Sequence, residues 1–246
     1  MKQSGLGDNV YVHGYNLSGD IGSFNRIGGG PAPSVVTGID VSAFERIGGL
    51  RDGEISYSAW FNPAANRAHS RFSTLPRTDV IVSYERGTTL GSPAAACVAK
   101  QINYDFQRGN DASLTAAIQC QSNGFGVEWG IQLTAGVDTS LTAAGALTSV
   151  DTLAAADFGL QAYLHVFAFT GTSATVAIQD SSDNGTDPWT DITGAIFTAA
   201  TGITAQRIQT SRTENVKRYL RVNVTGTFSA LSFAVMVNKN QTTVSF

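Results

Sequence analysis

The sequence predicts an all-β protein of antiparallel strands, and three observations favour this fold class. Glycine is abundant, with 26 residues among 246, and Thr, Ser, Ala and Val are frequent, a mixture typical of strands joined by tight turns. Short segments of alternating apolar and polar residues recur along most of the chain. Helical patterns are rare. We therefore expect a β-sandwich or barrel domain with a short flanking helix, followed by a C-terminal β-sandwich domain.

The first 61 residues contain two predicted strands and the one predicted helix. NVYVHGYNLS predicts a strand from Val10 to Tyr15, and the Gly- and Pro-rich residues that follow predict a turn and then a loop. In IDVSAFERIGG, Ser42 and Glu45 have the spacing of a capping box, and Gly48 follows as a stop signal, which predicts a helix of about two turns.

GEISYSAWFN alternates with a period of two, which predicts a strand with one apolar and one hydrophilic face. The predicted core face is Ile55, Tyr57, Ala59 and Phe61, and the opposite face is Glu54, Ser56 and Ser58.

Residues 62–78 predict an irregular or helical excursion. This segment contains Arg67, Arg71 and Arg77 around Phe72, a combination that could contact phosphates. The chain as a whole has a net charge of −3, so a solvated loop or a contact between subunits is favoured over nucleic-acid binding.

The rest of the chain predicts a series of short strands. RGND and NGFG are expected to form hairpin turns. Residues 136–158 are rich in Ala, Thr, Ser and Leu without a clear period and predict a connection, which divides the chain into domains 1–150 and 151–246. The strands are expected in DVIVSYERG, AAACVAKQINYDFQRG, SLTAAIQCQS, VEWGIQLTAG, LQAYLHVFAFTG, SATVAIQD, AQRIQT, KRYLRVNVTG and LSFAVMVNK.

One acidic stretch resembles a calcium loop. In DSSDNGTDPWTD, the residues Asp180, Asn184 and Asp191 fall near ligand positions of such a loop, but position twelve is Asp instead of Glu and the flanks predict strands. An Asn-Gly hairpin turn with solvated acids is the favoured interpretation, so we expect neither a metal nor another cofactor.

The sequence shows no pattern of a catalytic site. His13, His69 and His165 are far apart in the sequence, and none lies at triad or metal spacing from another reactive group. No P-loop, G-x-S-x-G or H-E-x-x-H motif occurs. Trp60, Trp129 and Trp189 could form a sugar platform, although buried core positions are commoner for tryptophan.

Cysteine content and hydropathy indicate where the protein resides. Cys97 and Cys120 are expected to be free, buried thiols of a reducing cytoplasm. MKQSGLGDNV has no apolar region of a signal peptide, and no apolar run is long enough to span a bilayer, so we expect a soluble protein without a membrane partner.

Two regions together resemble a known family. YNLSGDIGSFNRIGG and VTGIDVSAFERIGGLRDGEISYSAWFNPA are similar to the N-terminal part of major tail tube proteins of long, non-contractile-tailed (siphovirus-type) bacteriophages. LQAYLHVFAFTGTSATVAIQDSSDNGTDPWTDI and VKRYLRVNVTGTF resemble the C-terminal β region found in such virion proteins.

The resemblance implies a structural virion protein, made in the host cytoplasm, that is not an enzyme. Its subunits are expected to form stacked hexameric rings around a channel through which phage DNA passes without specific binding. Tape measure, tail terminator and tip proteins are the expected partners. Glu54, Ser56 and Ser58 would suit the hydrophilic channel wall, or else an outward, solvent-facing sheet surface. Residues 24–38 and the Arg67, Arg71 and Arg77 segment would reach neighbouring subunits.

Three alternatives remain open. A capsid decoration protein or other virion protein shares the β-rich, weakly charged composition. A carbohydrate-binding or adhesion module would use Trp189 beside the acidic turn. An enzyme would need His69 or His165 to meet a carboxylate across the fold.

Overall fold

A computed structural model describes residues 4–243, and it is built almost entirely of strands. The pairings between strands are antiparallel, so the all-β prediction is confirmed. A 3-10 turn at Ser18–Asp20 occupies the Leu-Ser-Gly-Asp segment. The elements are β1 (Asn9–Val12), β2 (Tyr15–Asn16), β3 (Ile21–Val35), β4 (Arg46–Trp60), α1 (Ala68–Phe72), β5 (Val80–Glu85), β6 (Pro93–Gln101), β7 (Asp105–Arg108), β8 (Leu114–Ser122), β9 (Glu128–Gln132), β10 (Gly145–Ala146), β11 (Val150–Asp151), β12 (Leu160–Ser181), β13 (Thr190–Ile196), β14 (Thr204–Gln209) and β15 (Tyr219–Lys239).

The chain forms two compact units that are not consecutive along the sequence. The first unit combines residues 1–19, 83–96 and 129–246, and the second combines residues 20–82 and 97–128. These ranges differ from the predicted division into 1–150 and 151–246. The ends of both predicted domains, residues 1–3 and 244–246, lie outside the described residues.

A pair of very long strands forms the centre of the first unit. β12 pairs with β15 from Leu160↔Lys239 to Ser181↔Tyr219. The first part of β12 also pairs with β14, and its last part pairs with β13. The sequence pattern predicts two strands in each of these regions, whereas the structure forms one continuous strand in each.

β-Bulges in the middle of each long strand coincide with the point where the alternation of apolar and polar residues is interrupted. The register of β12 and β15 shifts around residues 166–173, where β-bulges bend a ribbon. Buried residues from both parts of the ribbon belong to one hydrophobic core, including Leu164, Val176, Val222 and Phe233. The two parts of the ribbon therefore pack into the same core. This agrees with the alternation of apolar and polar residues on both sides of the bulges.

The second unit contains a smaller sheet. β4 pairs with β3 along one edge and, from Glu54 to Trp60, with β8 along the other. β7 and the end of β6 pair with the remaining edge of β8. α1 places Phe72 against the buried ring of Tyr57, with centroids 5.7 Å apart.

Two predictions for residues 17–49 are wrong. Of residues 18–34, predicted as a turn and then a loop, the part from Ile21 onward belongs to strand β3, and residues 42–47, predicted as a helix, lead into and begin strand β4. β3 is an edge strand, so Pro31 and Pro33 can lie in it without removing a hydrogen bond from a central ladder. A helix of two turns is too short to persist without packing, and here Glu45 instead bonds to Val36 and Thr37 across the hairpin tip.

Among the shorter features, residues 62–78, predicted as an irregular or helical excursion, contain the short helix α1 (Ala68–Phe72) between irregular segments. RGND joins the paired strands β7 and β8 and is confirmed as a hairpin turn. The prediction of a hairpin turn at NGFG is wrong, because the strands on its two sides do not pair with each other. The strand before it, β8, pairs with β4, β6 and β7, whereas the strand after it, β9, pairs with β15 and β6.

Candidate functional site

The alternation predicted in β4 is present. Ile55, Tyr57 and Ala59 are buried in the second unit, and Glu54, Ser56 and Ser58 alternate with them. Phe61 differs from the prediction, because it follows the end of the strand and its side chain is partly exposed against His69 and Phe106.

Glu54, on the hydrophilic face of β4, interacts with side chains of β4 itself and of the adjacent strands β3 and β8. Glu54 Oε2 accepts a hydrogen bond of 2.6 Å from Gln119 Nε2, and Glu54 Oε1 accepts one of 3.2 Å from Ser56 Oγ. Arg26 lies 3.8 Å from the same carboxylate. Ser56 is buried and Glu54 is half-buried, so this face is a packed polar layer in the single chain.

Beyond this layer, β3 and β4 continue as a two-stranded ribbon, which we call the arm and define as residues 28–53. In the arm β4 pairs only with β3, since its pairing with β8 begins at Glu54. The pairing runs to Val35↔Arg46, and a hydrogen bond from Val36 N to Glu45 O closes the tip.

The arm carries large apolar side chains that the chain itself leaves exposed. Leu50 is 89% exposed and Phe44 is 70% exposed. An isolated two-stranded hairpin is marginally stable in water, and exposed apolar clusters of this kind mark contacts with other molecules. The exposed apolar residues of the arm are Val35, Val36, Ile39, Val41, Phe44, Ile47 and Leu50.

Arg67 has a role inside the second unit that the sequence does not predict. Its guanidinium lies 2.9 Å from Asp20 Oδ1, and Asp20 is almost fully buried. Asn62 donates to the same oxygen, and the backbone N–H of Ala68 donates to Asp20 Oδ2 at 3.0 Å. Asp20 thus fixes the start of α1, and the Asp-to-Arg spacing of 47 residues gives no local signal for it.

The other two arginines of this segment have different surroundings. Arg71 donates a hydrogen bond to Asn66. Arg77 is exposed, and its carbonyl oxygen accepts a hydrogen bond of 2.8 Å from Lys100. Their contact with a neighbouring subunit stays a prediction.

The acidic stretch forms the turn between β12 and β13, and a lysine lies in it. Lys217 Nζ is 2.9 Å from Asp187 Oδ2 and 4.0 Å from Asp180 Oδ1. This ammonium, with the Ser181 and Ser182 donors, holds the pKa of Asp187 well below its usual range.

The three candidate ligands of that turn point to separate partners. Asp180 accepts from Thr190 and from the Lys217 backbone, Asn184 accepts from Ser149, and Asp191 accepts from Gln179. Within residues 4–243, no group of three or more His, Cys, Asp or Glu side chains could hold a metal ion.

The tryptophans do not occupy the core positions that the sequence favours. Trp60 is 50% exposed, Trp129 is 49% exposed, and Trp189 is partly exposed. The Arg221 guanidinium lies 4.3 Å from the centre of the Trp189 ring, so a cation–π contact covers one face of that indole.

His165 is a buried structural residue of the first unit. The Gly14 N–H donates to His165 Nδ1 at 3.2 Å, so the proton resides on Nε2, which donates to Ser83 Oγ at 2.9 Å. In this tautomer the imidazole cannot take the Ser83 proton. Burial lowers the pKa of His165 to about 3, which keeps the ring neutral.

Both cysteines are free and buried in the second unit, as predicted. Cys120 Sγ lies 3.6 Å from the Tyr57 hydroxyl, and burial raises the pKa of both thiols far above their usual range. They therefore act as small core residues. No helix in the described part of the chain is long and apolar enough to cross a membrane.

Comparison with known proteins gives matches only among solved structures. No family model matches the chain, and no curated protein matches it. The Dit protein of phage SPP1, described as a paradigm of hub adsorption apparatus in phages that infect Gram-positive bacteria, is 12% identical with a TM-score of 0.33, over 94% of this chain and 98% of that chain. A chain of the phage p2 baseplate in its activated conformation with Sr is 10% identical with a TM-score of 0.36, over 96% and 99%. The corresponding structure with Ca gives 9% identity and a TM-score of 0.35, over 96% and 99%. TM-scores this low do not establish a shared fold.

Proposed function

We propose that the chain is a structural protein of a phage tail, and that it is the tail tube subunit, which assembles into stacked hexameric rings. The observation that carries the proposal is the arm, whose exposed apolar residues have no partner surface in the second unit. The resemblance of YNLSGDIGSFNRIGG and the β4 segment to tail tube proteins supports the same conclusion. The protein is a structural component and not an enzyme.

The arm suits contacts between copies of the chain. A surface that is used by every subunit, and that binds a different surface on the next, closes into a ring or continues as a filament. Burial of Leu50, Phe44 and their neighbours would supply the free energy of association. The arm also provides unpaired strand edges, which a neighbouring subunit can cover.

The channel wall in this proposal is the polar layer of β4. Ser56 is buried, so the surface left to a channel consists of exposed Asp52 and half-buried Glu54 and Ser58, with Arg26 beside the Glu54 carboxylate. This surface is hydrophilic and, with two carboxylates and one guanidinium, slightly acidic, so it does not attract DNA. DNA would pass along it without specific contacts. Tape measure, terminator and tip proteins would be the tail partners, and the virion tail would be the location of the protein.

The test is assembly of the purified chain, followed by negative-stain electron microscopy and sedimentation velocity at increasing concentration. We expect stacked rings or hollow tubes for the wild type and monomers for the double variant Phe44→Ser/Leu50→Ser. Leu6→Ser is the matched control, since Leu6 is as exposed as Leu50 but lies outside the arm.

Other outcomes would contradict parts of the proposal. Single rings without stacking would favour a hub role like that described for the SPP1 Dit protein over a tube. Closed trimers would favour a capsid decoration protein. Unchanged assembly of the double variant would remove the arm from the interface.

A further inference from the structure

A groove of about 610 Å³ in the first unit has no role in the proposed function. It is open to solvent, and its volume is that of a site for a small molecule. Its lining combines a half-exposed indole, aliphatic side chains and hydrogen-bonding groups. Six of its residues carry the argument: Trp129, Gly130, Asp151, Leu153, Asn238 and Gln241.

At the floor of the groove, the backbones of β9 and β15 lie close together. A Cβ atom on Gly130 would lie 2.0 Å from the Val237 carbonyl oxygen, so no side chain fits at this position. β9 therefore lies directly against β15 next to Trp129, whose half-exposed side chain lines the groove. The Tyr84 ring meets the indole edge-on at 6.5 Å, which helps fix its orientation.

The rim of the groove is strained and apolar. Leu153 has a φ of +71°. The N–H of the following residue, Ala154, donates a hydrogen bond of 2.9 Å to the carbonyl of the preceding residue, Thr152. Residues 152–154 therefore form a γ-turn of the rare, strained type. The Leu153 side chain is 80% exposed. The turn thus presents an aliphatic side chain to water in the groove that the half-exposed indole also lines.

Neutral hydrogen-bonding groups complete the lining. Asn238 Nδ2 donates to Gln161 at 3.2 Å, which leaves Asn238 Oδ1 as an acceptor, and Gln241 makes no side-chain hydrogen bond to any residue from 4 to 243. Lys239 also lines the groove, but its ammonium already donates to Thr152 Oγ1, the Ala154 carbonyl and the Lys217 carbonyl. Both oxygens of Asp151 accept hydrogen bonds from Arg218, and Asp151 Oδ1 also accepts one of 2.8 Å from the Leu153 N–H. The charged groups are thus already bonded within the chain, and the groups left for a ligand are the Asn238 and Gln241 amides.

We propose that this groove binds a neutral carbohydrate, with a pyranose ring stacked on Trp129. The C–H face of a pyranose is apolar and packs on an aromatic ring, while its hydroxyl groups require donors and acceptors around that ring. Leu153 would cover the outer edge of the sugar, and Asn238 and Gln241 would bind its hydroxyls. Trp189, the tryptophan that the sequence favours for this role, has one face occupied by Arg221.

The test is titration of the full chain with maltotriose, cellotriose and chitotriose, followed by isothermal calorimetry and tryptophan fluorescence. We expect at least one of these trisaccharides to bind with a millimolar or tighter dissociation constant. Trp129→Ala should weaken that binding about tenfold or more. Trp60→Ala is the matched control, since Trp60 is equally exposed but does not line the groove, and it should bind as the wild type does.

A second variant separates binding from folding. Leu153→Gly relieves the positive φ, so it should raise the melting temperature while it weakens binding. The proposal is overturned if none of the three trisaccharides binds, or if binding survives Trp129→Ala. Neither result bears on tail assembly, because the groove variants leave the arm intact.

Discussion

Glu85 is the most unusual single residue of the first unit. It is fully buried in β5, and neither of its carboxyl oxygens has a hydrogen-bond partner within residues 4–243. Burial raises its pKa to about 8, and the nearby Tyr11 hydroxyl, itself without a partner of standard geometry among those residues, offsets this only in part. The carboxyl is therefore protonated at neutral pH.

We predict that Glu85 makes the protein less stable in alkaline solution. A carboxyl with a raised pKa in the folded state stabilises the fold fully below its unfolded pKa near 4.5, and this contribution is lost as the pH rises through about 8. The shift corresponds to about 5 kcal/mol between pH 4 and pH 9. Urea unfolding of Glu85→Gln should show a weaker decline over this window than the wild type.

The exposed Glu45 supplies the control, since Glu45→Gln should leave the wild-type pH profile unchanged. An identical profile for Glu85→Gln would show that Glu85 is ionised or solvated in the folded protein.

The sequence around Glu85 gives no sign that it is buried. In SYERG it stands beside Arg86 at the end of a strand, where consecutive side chains point to opposite faces. Arg86 pairs with Asp8 at 2.6 Å, far away in the sequence. Asp20 and Arg67 were missed in the same way, because pattern analysis detects alternation along a strand but not partners brought together by the fold.

At the level of single elements, the bulge in β12 depends on glycine. Gly171 has a φ of +154°, and a Cβ atom there would lie 2.4 Å from the Phe228 Cα. We predict that Gly171→Ala lowers the free energy of unfolding by about 2 kcal/mol or more, as strained backbone positions do.

Gly202→Ala is the control for this prediction, since no atom lies within 4 Å of a Cβ at Gly202. Chemical denaturation of both variants decides the question, and equal stabilities would mean that β12 and β15 adjust around a side chain at the bulge.

The acidic turn between β12 and β13 gives a prediction on calcium. Lys217 already neutralises Asp187 and lies near Asp180, so millimolar Ca²⁺ should leave the melting temperature of the wild type unchanged, and chelation should have no effect. A calcium-dependent rise in the wild type would show that Lys217 is displaced and that the turn is a metal site.

Local patterns predicted some elements and not others. Strand β4 was predictable down to its faces, because Ile55, Tyr57 and Ala59 alternate with polar residues. The predictions of a helix at 42–47 and of a loop within residues 18–34 were wrong because capping residues, Gly and Pro are local signals, while the arm forms through pairing between the two segments. The continuity of β12 was hidden by the bulge at Gly171.

For the whole molecule, the arm predicts that stability depends on protein concentration. Association that buries Phe44 and Leu50 stabilises the folded chain by mass action, so the melting temperature of the wild type should rise with concentration. The Phe44→Ser/Leu50→Ser variant should melt at one temperature throughout. Calorimetry over a wide concentration range tests this, and a constant wild-type value would contradict self-association through the arm.

Fold class could be predicted from the whole sequence because alternation and turn residues recur throughout it. The candidate site could be predicted only in part. Glu54, Ser56 and Ser58 were found by their period, but the exposure of the arm and the groove at Trp129 depends on which strands pair, and this information is not local.

The position of β15 in the chain has a consequence for synthesis on the ribosome. This strand, Tyr219–Lys239, pairs with β9, β10, β11 and β12, yet it is translated after all of them. Until it emerges, the buried faces of those strands lack the partner that completes the core of the first unit. A nascent chain therefore exposes both the apolar residues of the arm and the unpaired core faces of these strands until β15 has been translated, and afterwards only the arm remains exposed.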